Sequence, residues 1–185
     1  MKKTEGQSES EGLKFNSAAL EPLFMPWEFP KAHRQRADRD GQPPKIIERR
    51  RPSPITIANN LRAALMDFRD SHYAGASDTS RELLNYWFET DHSVTSKDGL
   101  NLPFRYYFCQ REAIETLIYL HEVRRIQTLS SLTGEFFGKD AERVALGIDP
   151  AEDQWPKYAF KVATGAGKTK IMSLAIIWSY FHSLR

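Results

Sequence analysis

The spacing of apolar side chains predicts three helices between residues 53 and 126. Apolar residues that return every three or four positions form one face of a helix. Ser53–Pro54 suits the start of the first helix, with serine as cap and proline in the first turn, and Ser80 suits the cap of the second. The third helix is predicted from Gln110 to Ile126. The apolar faces contain Leu61, Ala64, Leu65 and Phe68, then Leu83, Leu84, Trp87 and Phe88, and finally Ala113, Ile114, Leu117, Ile118 and Leu120.

After the second predicted helix the apolar spacing is less regular, except in the third helix and at the end of the chain. Asp91–Asn101 is predicted to be a polar loop, and residues 127–157 a loop-rich insertion with one short helix near 140–146. Tyr158–Val162 then reads as a short apolar strand, and a helix is predicted from Lys168 to Ser183. That helix is apolar nearly all round, so we expect most of its sides to be buried.

The first 52 residues differ from the rest in pattern. They hold six of the ten prolines and little apolar periodicity, which predicts an extended, partly disordered arm. Residues 31–51 carry eight Lys and Arg against three Asp and Glu. Two interpretations stay open for this basic stretch: a solvated tail, or an arm that contacts the phosphates of a nucleic acid.

Composition narrows the class of protein only a little. The formal net charge of the 185 residues is +2, which does not by itself indicate a nucleic-acid binder. No signal peptide or membrane span is predicted, and the single cysteine excludes an internal disulfide, so we expect a cytoplasmic protein. Cys109 is interpreted as a buried structural thiol. The histidines lack metal-ligand spacing and are interpreted as ordinary surface or packing residues; they are His33, His72, His92, His121 and His182.

The clearest chemical motif joins the predicted strand to the last helix. It reads Val-Ala-Thr-Gly-Ala-Gly-Lys-Thr over residues 162–169. Glycines let the backbone approach phosphates closely, and the start of a helix presents N–H groups to an anion. Lys168 would place its positive charge beside the β- and γ-phosphates, and the Thr169 hydroxyl would bind Mg²⁺. The predicted ligands of ATP and Mg²⁺ are therefore Thr164, Gly165, Ala166, Gly167, Lys168 and Thr169. The alternative is a glycine turn that only joins strand to helix.

A second candidate precedes the third predicted helix. Gln110 follows an aromatic run over residues 104–108, and a carboxamide can donate to and accept from the edge of adenine. Aromatic and arginine side chains beside it can stack on the base. The alternative is a packed aromatic cluster with a glutamine that caps the helix.

Together these motifs resemble superfamily 2 helicases of the DEAD/DEAH type. Their phosphate loop commonly has an apolar residue where the general pattern has glycine, as Val162 is here. Phe108-Cys-Gln-Arg-Glu-Ala113 resembles the Q motif of restriction-enzyme translocases. The arm adds a weaker likeness to type III Res-like subunits, carried by Asn16-Ser17, Glu21-Pro22, the region of Trp27, and residues 48–53.

The resemblance implies an N-terminal fragment of an ATP-driven DNA motor of a restriction system. The expected fold is α/β, an incomplete RecA-like motor domain that is mostly helical and follows an extended arm. Its parts would be the arm (1–52), a helical module ending in the Q-like segment (53–126), the insertion (127–157), and the first strand, phosphate loop and helix (158–185). DNA and restriction-modification subunits are the implied partners, with no membrane.

The catalytic parts of such a motor are missing from the sequence. It contains no Asp-Glu dipeptide, which the family uses to hold Mg²⁺, and no second lobe with an arginine finger. We therefore expect a truncated product or split-gene fragment that binds ATP, hydrolyses it poorly, and contains no catalytic residue. Two other hypotheses stay open. One is a non-catalytic DNA- or protein-binding helical module with a vestigial phosphate loop; the other is a different P-loop enzyme such as a kinase, against which the Gln110 cluster argues.

Overall fold

The computed structural model describes residues 25–35, 45–138, 147–149 and 151–184. The chain divides into two units, Met1–Arg51 and Pro52–Arg185. In the first unit, strands β1 (His33–Gln35) and β2 (Lys45–Ile47) pair antiparallel, with His33 opposite Ile47. This part of the predicted extended arm is therefore a hairpin. The expectations for residues 1–24, and for a short helix near 140–146, lie outside the described residues.

The second unit is mainly helical and contains one more small sheet. Helices α1 (Thr56–Asp70) and α2 (Asp78–Glu89) are followed by an antiparallel pair, β3 (His92–Thr95) and β4 (Asn101–Phe104). Helix α3 (Phe108–Ile118) continues into a π-helical segment (Tyr119–Val123), and α4 (Leu129–Phe136) and α5 (Lys168–Ser183) complete the order. The mixed α/β class is confirmed, and both sheets of the described residues are two-stranded.

Two predicted helix caps are wrong, each by three residues or fewer. Helix α1 begins after Ile55, because Ser53 is held by Asn59 instead: its N–H donates to Asn59 Oδ1 over 2.8 Å and its carbonyl accepts from Asn59 Nδ2 over 2.9 Å. Helix α2 is capped by Ser77, whose Oγ accepts from the Ser80 N–H. Ser80 itself is fully buried inside the helix, where its hydroxyl is used in tertiary contacts.

The loop predicted over Asp91–Asn101 is instead the β3–β4 hairpin. Val94 faces Leu102 across it, and Thr95 faces Asn101. Ser96 N donates to Leu100 O over 2.8 Å, and Gly99 has φ +78°, a left-handed conformation that favours glycine. An aspartate–glycine pair between two strands is a hairpin signal, so the sequence did contain it. Helix α4 was also missed inside the predicted loop-rich insertion.

One core joins the predicted helical module to the helix that follows the phosphate loop. Helices α1, α2 and α3 supply most of it, and one face of α5 inserts beside them. The fully buried members include Leu84, Ile114 and Ile118, and α5 contributes Ile171, Leu174 and Trp178. Burial of several large side chains, each worth about 1.5–3 kcal/mol, makes α5 part of this domain.

Two predictions for the end of the chain are corrected by the structure. Tyr158–Val162 is extended but forms no strand with any described residue, because a strand needs a neighbour for its backbone groups. Helix α5 is buried on one face only, whereas most of its sides were expected to be covered. The large apolar residues exposed on its other side are Met172, Ile176, Ile177, Tyr180, Phe181 and Leu184.

Candidate nucleotide site

The phosphate loop is shaped by two glycines in the left-handed region. Gly165 has φ +84° and Gly167 has φ +78°, so the chain reverses twice before α5 begins. Ala166 N donates to Ala163 O over 3.2 Å, which closes the first turn. An L-residue pays about 1–2 kcal/mol for such backbone angles, so glycine at both positions favours this shape.

The loop leaves a run of backbone donors without a protein acceptor. Among the described residues, the N–H groups of Thr164, Gly165, Gly167, Lys168 and Thr169 donate no hydrogen bond to the protein. They belong to a turn and to the first turn of a 16-residue helix, where the helix dipole favours negative charge. Donors without partners at a helix start are what an anion needs.

The charges on the first turn of α5 have one sign. Its first residues include two exposed lysines, Lys168 and Lys170, and no acidic residue. Lys168 Nζ lies 3.3 Å from the carbonyl oxygen of Val162, a long contact across the start of the loop. Thr169 is exposed, so its hydroxyl is accessible to a ligand. The residue types and their placement therefore fit a bound polyphosphate and its Mg²⁺.

The structure brings Gln110 directly to this loop. Gln110 is only 4% exposed and stands at the third position of α3. Its Oε1 accepts from the Tyr107 N–H over 3.1 Å, and its Nε2 donates to the Ala166 carbonyl over 2.9 Å. One carboxamide thus caps its own helix and fixes a peptide of the phosphate loop. A carboxamide has two acceptor and two donor sites, so one of each remains for a ligand.

Gly167 is needed for this contact as well as for its backbone angle. A Cβ added there would overlap Gln110 Nε2 and would lie 3.4 Å from the amide carbon. At Gly165, by contrast, no atom lies within 4 Å of an added Cβ. The second glycine therefore allows the Gln110 side chain to approach the loop.

A buried ionic cluster holds the helix that carries Gln110. The carboxylate of Glu115 has no exposed surface and accepts from both Nε and Nη2 of Arg69, from Arg111 Nε over 2.7 Å, and from the Tyr73 hydroxyl over 2.9 Å. Arg111 also reaches Glu89 over 2.6 Å. Burial, followed by the charge of Glu115, raises the pKa of the Tyr73 hydroxyl, which therefore stays protonated. Sequence reasoning missed this cluster, although Arg111 and Glu115 have the i, i+4 spacing of a helical ion pair.

Aromatic rings line the approach to the loop from the β3–β4 hairpin. Phe104 packs against Tyr106 with ring centroids 4.9 Å apart, and Tyr106 against Phe88 at 5.6 Å. Lys170 Nζ lies 5.2 Å from the centre of the Phe104 ring, which joins the hairpin to the first turn of α5. The predicted aromatic cluster thus exists and packs next to the loop. Arg105 is exposed.

Cys109 is exposed, so the prediction of a buried thiol is wrong. It follows the buried Phe108 on α3 and lines a groove beside that helix. Partial burial raises the pKa of the Cys109 thiol, although nearby backbone N–H groups oppose that effect, so the thiol stays protonated near neutral pH. A protonated thiol is a poor nucleophile.

A groove runs between α3 and the extended segment before the loop. Its volume is about 390 Å³, and it is lined by one side of α3, by Leu120 of the π-helical segment, and by residues 157–162. Apart from the Val162 carbonyl, which Lys168 Nζ contacts, the backbone groups of residues 159–162 hydrogen-bond to no described residue. The groove and the outer face of α5 are thus two uncovered surfaces of the described residues.

Other classes of site receive no support from the described residues. No three His, Cys, Asp or Glu side chains among them are arranged to hold a metal ion. No described helix combines the length and the hydropathy that crossing a bilayer requires. Comparisons of the chain with protein-family models, curated proteins and solved structures gave no match.

Proposed function

We propose that this chain is the N-terminal, ATP-binding part of a DNA helicase or translocase subunit of a restriction-type system. One observation carries the proposal: Gln110 and Ala166 lie 56 positions apart in sequence, yet a hydrogen bond of 2.9 Å joins them. The two motifs that raised the helicase hypothesis therefore lie in direct contact, which supports their use in one site. An unrelated glycine turn and an unrelated capping glutamine would have no reason to meet.

Each part of the site is assigned one task in nucleotide binding. The free backbone donors around Gly167 bind the β- and γ-phosphates, and Lys168 neutralises part of their charge. The remaining donor and acceptor of Gln110 recognise the edge of adenine. Thr169 supplies one oxygen to Mg²⁺, which neutralises the phosphates when bound.

The chain itself is assigned binding and not turnover. It contains no Asp-Glu dipeptide, and no catalytic residue is assigned to it. The extended segment Tyr158–Val162 and the exposed face of α5 need further β-strands beside them, since a helix of this kind packs against a sheet. We assign that sheet and the hydrolytic residues to polypeptide beyond the described residues.

Nucleotide binding is tested by fluorescence of a labelled ATP with Mg²⁺. Lys168→Ala is expected to weaken binding at least tenfold, because it removes a charge that contacts phosphate. The matched control is Lys161→Ala, which removes an exposed lysine from the segment before the loop and should leave affinity unchanged. Equal affinities of the wild type and Lys168→Ala, or equal binding of labelled ATP and GTP, would contradict the phosphate or the adenine assignment, respectively.

The second candidate is a DNA-binding module whose phosphate loop is vestigial. It is favoured by the contact of Lys168 Nζ with the Val162 carbonyl, which occupies the lysine within the protein. It is also favoured by the exposed Arg34 and Arg49 of the β1–β2 hairpin region. Under this hypothesis Lys168→Ala leaves DNA binding intact, and labelled ATP does not bind to the wild type.

A further inference from the structure

A π-helical segment places a histidine against the last helix. Residues Tyr119–Val123 are wound one residue wider than an α-helix, with Arg124 N donating to Tyr119 O over 2.8 Å. Such segments are rare, and they reposition side chains relative to a regular helix. Here the segment directs His121 towards Trp178 on α5, with ring centroids 5.5 Å apart and planes at 87°.

A second histidine packs against the same indole. His182 stacks on Trp178 with centroids 5.0 Å apart and planes at 18°, and the two imidazoles lie 5.9 Å apart. Trp178 is buried and its Nε1 donates to Ser80 Oγ over 2.9 Å. The indole is therefore fixed, and the two imidazoles are held close to each other.

One carboxylate faces this pair. Glu122 accepts from the Ser77 N–H over 2.6 Å and from the Ser80 hydroxyl, and its Oε2 lies 3.8 Å from His182 Nδ1. Burial alone would raise the pKa of Glu122, but the hydrogen bonds from the two serines outweigh it and lower the pKa. The Glu122 carboxylate is therefore charged at neutral pH and can balance the charge of one proton on the two imidazoles. A further titratable group, Tyr158, lies near the pair, with its ring centroid 6.1 Å from that of His121.

We propose that His121 and His182 form a proton-operated clasp, here called the histidine clasp. It holds the C-terminal end of α5 against the π-helical segment while the pair carries at most one proton, and it opens when both rings are protonated. Glu122, whose Oε2 lies 3.8 Å from His182 Nδ1, is the carboxylate placed to balance one positive charge on the pair. Among the described residues no second carboxylate pairs with these rings, so two protons would place two cations 5.9 Å apart beside one indole.

The direction of the pH effect follows from the environment of His121. Burial lowers the pKa of His121, and the neighbouring His182 lowers it further, while Glu122 opposes both. The folded state therefore favours neutral His121. The resulting stability is present above about pH 6.5, the ordinary pKa of histidine, and is lost as the pH falls below it. The clasp is closed at neutral pH and opens in mild acid.

The coupling is tested by NMR titration of the imidazoles in the full chain between pH 5 and 8. In the wild type, His121 should titrate below the ordinary histidine pKa. In His182→Gln its pKa should rise, because a neighbouring positive charge is removed. An unchanged His121 titration in His182→Gln overturns the proposal. Replacement of His33, on strand β1, provides the control, since His33→Gln should not move the His121 titration.

The opening is tested by hydrogen exchange of the backbone amides of residues 178–183. After correction for intrinsic rates, exchange should be faster at pH 5.5 than at pH 7.5, because the lowered pKa of His121 makes its protonation favour the open state. The acceleration should disappear in His121→Gln. Its absence in the wild type overturns the proposal, and if His121→Gln does not fold, the wild type and His182→Gln decide. The clasp includes no residue assigned to the nucleotide, so the two proposals fail independently.

Discussion

Alanine at Gly167 and alanine at Gly165 form a matched pair that isolates the contact between Gln110 and the phosphate loop. Both glycines have positive φ, +78° and +84°, so both substitutions carry the same backbone cost of about 1–2 kcal/mol. They differ in surroundings. A Cβ meets nothing within 4 Å at Gly165 but overlaps the Gln110 amide at Gly167.

The difference in stability can be worked out from that overlap. Gly167→Ala must displace the Gln110 side chain and break its hydrogen bond to the Ala166 carbonyl. A lost hydrogen bond costs about 1 kcal/mol, and a buried amide left without a partner costs about 1–3 kcal/mol. We therefore expect Gly165→Ala to lower the free energy of unfolding by about 1–2 kcal/mol and Gly167→Ala by about 1–3 kcal/mol more.

The assay is urea unfolding followed by far-UV circular dichroism. Both glycine variants are measured in the wild-type background and again in the Gln110→Ala background. Removing the glutamine removes the overlap, so the two alanine variants should become equally stable in that background. The interaction free energy from this cycle should be about 1–3 kcal/mol. Equal stability losses in the wild-type background, or a difference that persists without Gln110, would refute the contact.

Three further predictions concern other parts of the molecule. Glu115→Ala should lower the free energy of unfolding by about 3–5 kcal/mol, because two partly buried arginines each lose this carboxylate as a partner. The control is Glu82→Ala, at an exposed position, which should change the free energy of unfolding by less than about 0.5 kcal/mol. Calorimetry distinguishes the two variants, and a small effect of Glu115→Ala contradicts the cluster. Alkylation of Cys109 should be slower than that of a free thiol at pH 8 and rise with pH, because its pKa is raised; an unperturbed rate contradicts this. Replacing Arg34 and Arg49 together by alanine should reduce the salt dependence of DNA affinity by up to about two phosphate contacts, as measured by fluorescence anisotropy, and an unchanged slope removes the hairpin from the interface.

The ionic cluster and the Gln110 contact are parts of one arrangement. Arg69 and Arg111 hold Glu115 from two helices, and Arg111 directly follows Gln110 on α3. The first turn of α3 is thereby fixed to α1, and the glutamine side chain is placed at the loop before any ligand arrives. Preorganisation of this kind reduces the ordering cost of binding.

The sequence by itself determined the features that depend on neighbours in the chain. Apolar spacing predicted the centres of α1, α2, α3 and α5, because periodicity is a local property. The glycines of the phosphate loop were also identified, since φ at Gly165 and Gly167 is set by local sterics. Helix starts were less accurate, because Ser53, Ser77 and Ser80 are all suitable caps and only packing chose among them.

The tertiary structure decided everything that joins distant positions. Nothing near Gln110 announces that its amide meets Ala166, and nothing near Glu115 announces that two arginines and a tyrosine enclose it. The predicted strand at 158–162 shows that a local pattern alone is insufficient. Its apolar residues satisfy that pattern, but a strand exists only where another strand supplies hydrogen bonds. Local propensity selects a conformation for a segment, whereas burial and partners depend on the whole chain folding around it.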